Sequence, residues 1–272
     1  MGNGEFNAGG NPAMDYDSIE RKVEIRQAAL CHKKWYKIWD DGRLGSCVDL
    51  SPFIGKLSIS GFSFFFLSGF PTPIAIYTLD RKTRARDISP GKNLPGRSYN
   101  IRYAPGPYGQ PGESTEFFGR RNSYIRLPNN GRLDAKNSIT LLAWVLPFGR
   151  GPIFEYFQGV RFWVVRSDTL YVHFIRRNGR RTRVLMKRRL RPRRWNYVGA
   201  TYDKRTGMAT LWLDSRPILS QNIKRIQLAT KKTAYMGGTF RGRIACMQVY
   251  SDPLTGPQIK KVKNLCNKPG KP

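Results

Sequence analysis

Acidic residues are scarce in this sequence, and the scarcity is its strongest compositional feature. The chain has 48 Lys and Arg residues against 18 Asp and Glu residues, which gives a formal net charge of +30. Most of the cations therefore have no acidic partner within the chain. An imbalance of this kind favours a polyanionic partner, namely an acidic glycan, a nucleic acid or an anionic membrane surface.

Histidine and cysteine are also scarce, which argues against most catalytic and metal sites. The two histidines are His32 and His173. The four cysteines form no closely spaced pair of the kind that zinc sites use. For Cys246 and Cys266, spacing alone leaves open a disulfide bond or two buried free thiols. The sequence thus predicts no cofactor and no enzyme activity.

The start of the chain lacks the apolar run of a secretory signal. Residues 1–15 are rich in Gly and Asn and are predicted to be disordered. A helical leader is predicted over 16–56, because Asp17-Ser18-Ile19-Glu20 resembles a capping box. The uncharged stretch 57–79 has the length of a membrane span. Its glycines and prolines favour instead an apolar linker over 57–73 that leads into a first strand at 74–79.

Residues 137–145 predict a strand that is apolar on both faces. Ile139, Leu141, Ala143 and Val145 share one face, and Thr140, Leu142 and Trp144 share the other. Such a strand belongs inside a layered sheet structure, because each face needs a partner layer. The stretch from Asp87 to Gly112 is rich in turn residues and is predicted to consist of loops.

Several short predicted strands follow, separated by turn residues. Ser167-Asp168 reads as a hairpin loop, and Asn178-Gly179 is a strong hairpin signal before a strand at 182–186. A last long strand is predicted at 240–250, with a short helix at 258–264. The pattern is typical of an all-β antiparallel sandwich or barrel.

The order of these segments resembles the laminin G-like, concanavalin A-like jelly-roll family. The resemblance covers about residues 74–266 and leaves 267–272 as a tail. Its motifs lie at 116–119 with 123–128, 138–145, 194–203, 206–214 and 240–250. It implies a two-sheet antiparallel sandwich, a family that is usually extracellular and usually binds glycans or proteins. It also implies a Cys246–Cys266 disulfide, since these domains commonly tie the last strand to a nearby cysteine.

The same resemblance raises calcium as a cofactor, since relatives of this fold often bind it through loop oxygens. Candidate ligands are Asp87, Asn129, Asn130 and Asp134. Because calcium usually takes several oxygens and more than one carboxylate, and no dense acidic cluster is present, no metal site is predicted.

A second resemblance concerns residues 26–51, which are similar to the second half of an F-box. Cys31, Trp35, Trp39 and Asp49-Leu50 carry it. This similarity implies an alternative function, an intracellular adaptor that recruits targets for ubiquitination through the sandwich. A short helical leader with an aromatic anchor explains the same residues equally well.

The densest charge lies between residues 176 and 194, where no acidic residue occurs. Arginine forks pair bidentately with sulfate, carboxylate or phosphate, so a ligand-binding rim formed by adjacent loops is predicted. A solvated charge run is the plain alternative. The cations are Arg176, Arg177, Arg180, Arg181, Arg183, Lys187, Arg188, Arg189, Arg191, Arg193 and Arg194.

These observations predict a non-enzymatic extracellular or cell-surface binding and adhesion module. Its expected partner is an anionic polysaccharide, such as heparin, or a glycosylated protein. Nucleic acid is less favoured, because no C₂H₂, RNP1-type or basic-helix motif is found. Glycoside hydrolysis is a further alternative, and it would require two facing carboxylates such as Glu155 and Asp168.

Overall fold

The computed structural model describes residues 71–267 and the backbone of three short strands before them. The chain divides into two compact units, Met1–Phe66 and Leu67–Pro272. In the first unit, β1 (Leu30–Cys31), β2 (Lys34–Ile38) and β3 (Leu44–Val48) form an antiparallel sheet in that order.

This small sheet corrects the prediction of a helical leader. The leader was predicted over 16–56, but its described residues form strands, so the helix is wrong for these segments. The predicted disorder at 1–15 and the capping box at 17–20 lie outside the described residues. So do most of the linker 57–73 and the tail beyond residue 267.

The second unit contains the strands β4 to β18. The first of these are β4 (Ala75–Tyr77), β5 (Arg97–Tyr99), β6 (Arg102–Ala104), β7 (Ser114–Phe118), β8 (Tyr124–Leu127), β9 (Ile139–Pro147), β10 (Gly151–Tyr156) and β11 (Arg161–Arg166). They are followed by β12 (Thr169–His173), β13 (Leu185–Arg188), β14 (Asn196–Asp203), β15 (Met208–Leu213), β16 (Arg216–Asn222), β17 (Ala234–Gly237) and β18 (Arg241–Tyr250). Helix α1 (Gly256–Val262) and a 3₁₀ turn (Leu265–Asn267) follow.

These strands form two antiparallel sheets, which confirms the predicted sandwich. One sheet has the strand order β13-β12-β11-β10-β17-β8-β5. The other has the order β16-β15-β14-β9-β18-β7-β6, with β4 pairing with β18. Their inner faces share one large core, to which both sheets contribute aromatic and aliphatic side chains.

Strand β9 is buried on both faces, as its sequence predicts. Ile139, Leu141, Ala143 and Val145 belong to the core between the sheets. Leu142 and Trp144 face the other way and pack in a second cluster with Ile259 and Val262 of α1. Helix α1 is therefore the partner layer on the outer face of the eight-stranded sheet.

The Cys246–Cys266 disulfide ties this helical layer to β18, and the bond implied by the family resemblance is confirmed. Trp144 Nε1 donates to Lys263 O at 3.3 Å, and Gln248 Nε2 donates to Val262 O at 3.1 Å. These bonds satisfy carbonyls at the end of α1 that have no partner within the helix.

One other prediction changes. The stretch Asp87–Gly112 contains the short strands β5 and β6, so it is more than the succession of loops that its turn residues indicated. The first strand predicted at 74–79 is present as β4, residues 75–77, which pairs with β18, so this end of the candidate span 57–79 is sheet. No helix in the part of the chain that the structure describes is long and apolar enough to cross a membrane.

Candidate functional site: the outer face of the seven-stranded sheet

The two sheets differ in what lies on their outer faces. The eight-stranded sheet carries α1 on its outer face. On the seven-stranded sheet, the outward positions of β11 and β12 are Arg161, Trp163, Tyr171 and His173, which alternate with core residues. Within residues 71–267, no helix is packed on this face. It therefore presents aromatic and basic side chains together.

The strand register aligns polar side chains into a row across this face. Neighbouring strands place the members of the row directly opposite one another, and partners in register point to the same face of a sheet. The row runs, in strand order, through His173, Arg161, Glu155, Tyr235, Arg126 and Arg97. We call it the polar row.

A cleft of about 640 Å³ lies at the β12 end of the polar row. Arg161, Tyr171 and His173 line it from the sheet, and Arg181 and Arg183 line it from the loop before β13. A second cleft of about 390 Å³ shares Arg161 and Tyr171 with the first and adds Trp163 and Arg150. The two clefts are therefore neighbours on the sheet, and we refer to them together as the groove.

The charged side chains of the groove are positive, and they affect the pKa of His173. Its Nε2 lies 3.2 Å from Thr182 O. Burial lowers the pKa of His173, and Arg161 and Arg181 lower it further, although the Thr182 carbonyl acts in the opposite direction. The imidazole is therefore neutral near neutral pH, so the arginines supply the positive charge.

Glu155 is the exception in this basic surface. Trp163 Nε1 donates to Glu155 Oε2 at 3.0 Å, and Arg161 stands opposite on the next strand. Burial raises the pKa of the Glu155 carboxyl, while the Trp163 hydrogen bond and the Arg161 charge lower it. Glu155 thus places a hydrogen-bond acceptor beside the groove, next to the cationic Arg161 that lines it.

The predicted single rim of cations does not form. Arg180, Arg181 and Arg183 are exposed on the loop before β13, whereas Arg189, Arg193 and Arg194 are exposed on the loop after it. Loops that enter and leave one strand lie at its opposite ends, roughly 10 Å apart for a strand of this length. Lys187 and Arg188 belong to β13 itself, not to a loop.

Three of the predicted cations also have acidic partners from elsewhere in the chain. Arg177 forms a bidentate pair with Asp134, with contacts of 2.9 and 2.7 Å. Arg188 pairs with Asp168, and Arg191 Nη2 lies 3.5 Å from Asp214 Oδ2. The sequence could not reveal these pairs, because each joins residues that are 20 or more positions apart.

The hairpin tip nevertheless gains basic neighbours. A turn forms at the predicted place and is closed by Gly179 N donating to Arg176 O at 2.8 Å, but the strand predicted at 182–186 begins only at Leu185. Arg176 and Arg177 share a cleft of about 440 Å³ with Arg225. Arg177 also borders a cleft that contains Lys231 and Lys232. The basic surface at this end of the sandwich therefore also contains residues of the segment 225–232, which lies outside the predicted charge run.

The calcium candidates do not fit a calcium ion. Both oxygens of Asp87 accept hydrogen bonds, from Ile76 N, from Ser89 and from Asn93. Asp134 is bound by Arg177 and by Thr230 Oγ1 at 2.7 Å.

The two asparagine candidates also serve the fold. Asn129 Oδ1 accepts from Gly131 N and Leu133 N, and Asn130 Oδ1 lies 3.4 Å from Arg132 N. Among the described residues, no group of three acidic, His or Cys side chains could hold a metal ion.

The hydrolase pairing of Glu155 with Asp168 is wrong on geometry. Glu155 is opposite Arg161, at the start of β11, and Asp168 lies beyond the far end of that strand. The length of β11 between these two points, from Arg161 to Arg166, is roughly 17 Å at ~3.3 Å per residue. Glycosidase carboxylates lie about 5 to 9.5 Å apart, so these two cannot act on one bond.

The residues that the sequence analysis missed are Arg161, Trp163 and Tyr171. Their signal was the alternation of polar and apolar residues in β11 and β12, which indicates strands with one open face. This alternation became informative only in the structure, where Arg181 and Arg183 from the predicted charge run line the same cleft as Arg161 and Tyr171.

Solved structures with a similar fold include the binding domains of botulinum neurotoxins. The botulinum neurotoxin serotype D binding domain, also crystallised in complex with N-acetylneuraminic acid, has a TM-score of 0.57 and 15% identity, covering 70% of this chain and 50% of that chain. The serotype G binding domain has a TM-score of 0.60 and 10% identity, covering 71% of this chain and 51% of its own.

A third similar structure is the binding domain of Paraclostridial Mosquitocidal Protein 1. Its TM-score is 0.57 at 12% identity, and the match covers 71% of this chain and 52% of that domain. This chain thus spans about half the length of the structures it matches, and identities this low show the fold alone. A search of curated proteins finds no match.

A family model does match the sequence directly. The laminin G-type model of the concanavalin A-like lectin/glucanases superfamily aligns with residues 118–260, a little over half of the chain. The F-box resemblance at 26–51 lies outside this match and stays a prediction. The order of motifs, the two-sheet sandwich and the family match agree, and the chain belongs to the concanavalin A-like lectin/glucanases superfamily.

Proposed function

We propose that this chain is a non-enzymatic, extracellular module that binds acidic glycans on the outer face of its seven-stranded sheet. The observation that carries the proposal is the groove in which Trp163 and Tyr171 lie among Arg161, Arg181 and Arg183. Aromatic side chains pack against the apolar face of a sugar ring. Arginine forks bind its carboxylate or sulfate groups.

Two further observations support an acidic sugar as the ligand. The net charge of +30 attracts polyanions over a distance. N-acetylneuraminic acid, the sugar bound to the structurally similar serotype D domain, carries a carboxylate. The non-enzymatic part of the proposal is supported by the separation of Glu155 from Asp168.

Replacing Arg181 and Arg183 by glutamine tests the proposal. We expect the variant to bind heparin about tenfold more weakly, because two charge-assisted contacts are lost. Affinity is measured by calorimetry at low and moderate salt, since screening weakens exposed charge interactions. The matched control is Lys260→Gln with Lys261→Gln, which removes the same charge from exposed positions on α1. Equal loss in both variants would show non-specific attraction and contradict the proposal.

The acidity of the solution should also change binding. The groups that face Glu155 across the sheet are Arg161 and Tyr235, with His173 and Arg126 next in the row. Protonation of Glu155 removes a negative charge. Because its pKa is raised, this protonation occurs at a higher pH than for an ordinary glutamate. Protonation of His173 adds a positive charge. Because its pKa is lowered, this protonation occurs at a lower pH than for an ordinary histidine.

Both changes act in one direction, so affinity for a fully sulfated glycan should rise severalfold from about pH 7 to about pH 5. The sulfates keep their charge over this interval. Glu155→Gln should bind more tightly at about pH 7 and show a flatter profile. A wild-type affinity that falls on acidification would contradict the proposed site.

A further inference from the structure

The polar row extends well beyond the groove of the proposed function. From His173 on β12 to Arg97 on β5, it crosses five strand spacings. At ~4.8 Å for each spacing, the row is roughly 24 Å long. The groove occupies only the half around Arg161, so the half on β17, β8 and β5 is a separate surface.

Arg97 and Arg126 stand directly opposite one another on neighbouring strands of this second half. Both side chains are exposed, and neither forms an ion pair with an acid among the described residues. Like charges placed directly opposite in a sheet destabilise it. A bound anion between the two guanidinium groups would remove that repulsion.

Aromatic rings lie beside this arginine pair. Tyr99 and Tyr124 stack with ring centroids 4.7 Å apart, and Tyr124 lies 6.2 Å from Tyr235. Tyr99 lies on the edge strand β5 and is 38% exposed, so part of its ring is open to a ligand. The three rings form a platform on the same face as the arginines, which repeats the combination of aromatic and basic groups found in the groove.

The chemistry of the row favours a glycan over a nucleic acid. Glu155 stands between the groove and the tyrosine platform and can accept hydrogen bonds. Sugar hydroxyls can donate to a carboxylate, whereas the backbone of DNA carries only acceptors and that of RNA offers one 2′-hydroxyl donor per nucleotide. Tyr99 and Tyr124 stack on each other, so they leave fewer free ring faces than successive bases would need.

From these contacts we infer a second binding subsite, formed by Arg97, Arg126, Tyr99, Tyr124 and Tyr235. The acidic glycan lies across the strands as an extended chain and contacts both subsites. The protein therefore binds the interior of an acidic polysaccharide rather than a terminal sugar. This inference rests on the proposed function, because the first subsite is the groove at Arg161.

The test compares heparin oligosaccharides of two lengths, a tetrasaccharide and a dodecasaccharide. One variant carries Arg97→Gln and Arg126→Gln, and a second carries Tyr99→Ser alone. We expect the dodecasaccharide to bind about tenfold more weakly to the arginine variant and a few-fold more weakly to Tyr99→Ser. Tetrasaccharide binding should change by less than about twofold, because the short chain still occupies the groove. Circular dichroism confirms that each variant is folded.

The Arg181→Gln, Arg183→Gln variant separates failure of this inference from failure of the proposed function. If that variant loses affinity for both lengths while Arg97→Gln, Arg126→Gln binds the dodecasaccharide normally, the second subsite is overturned and the groove stands. If wild-type protein binds neither oligosaccharide, both proposals are overturned. A single-stranded oligonucleotide serves as competitor, and its tighter binding through Arg97 and Arg126 would replace the glycan by a nucleic acid.

Discussion

Removal of the Cys246–Cys266 disulfide is expected to lower the free energy of unfolding by about 3 kcal/mol. The bond closes a loop whose ends are 20 residues apart. Without it, the unfolded chain gains conformational freedom. In the folded state, the segment after α1 loses its attachment to β18, and the cluster around Leu142 and Trp144 loses part of its cover.

The measurement is urea denaturation of Cys246→Ala, Cys266→Ala alongside the wild-type protein. Alanine suits position 246, where the side chain is buried. Wild-type protein treated with a reductant should match the variant, and the variant should not respond to the reductant. A wild-type protein whose stability is insensitive to reduction would refute the stabilising role of the bond.

The oxidation state also bears on where the protein acts. Disulfides persist in oxidising compartments and are rare in the cytosol. We therefore propose an extracellular or cell-surface location, and mass spectrometry of unreduced protein from its source provides the test. A reduced pair, together with co-purification of a ubiquitin-ligase adaptor, would favour the alternative of an intracellular F-box-type protein.

The substitution Gly242→Ala is expected to destabilise the fold by roughly 4 kcal/mol, from backbone strain and from overpacking. Gly242 has a φ of +149°, and it pairs with β7 on one side and β9 on the other. An added Cβ would lie 2.4 Å from Leu146 O and 2.7 Å from Phe240 Cζ. Neither neighbour can withdraw easily, because Phe240 is buried in the core and Leu146 O is a main-chain atom of β9, which is paired with a strand on each side.

Gly131→Ala is the matched control. Gly131 also has a positive φ, of +103°, but nothing lies within 4 Å of an added Cβ. The control should therefore cost only the backbone strain, about 1 to 2 kcal/mol. Thermal unfolding of both variants gives the comparison, and a poor yield of folded Gly242→Ala protein would agree with it. Equal losses in the two variants would show that the close contacts at Gly242 are unimportant.

The prediction for Gly242 also explains one of the sequence motifs. The segment Phe240-Arg241-Gly242-Arg243-Ile244 resembled the last strand of laminin G-like domains. In the structure, β18 is central in its sheet, and the glycine is needed because Leu146 O and the Phe240 ring approach it closely. A motif recognised by resemblance thus has a steric cause.

Sequence alone determined the layered fold. Alternation in 139–145 identified a strand that needs a partner layer on each face, and both partners are present: the opposite sheet and α1. Turn residues at Ser167-Asp168 located the hairpin between β11 and β12 correctly. These features depend on local pattern, because side-chain direction in a strand repeats every two residues.

Only the tertiary structure decided the candidate site. The charge run at 176–194 appeared continuous, but β13 separates it into two groups, and distant acids neutralise Arg177, Arg188 and Arg191. The polar row joins residues from six strands that are scattered between Arg97 and Tyr235. Strand order and register create such neighbours, and they are set by long-range pairing that no local pattern encodes.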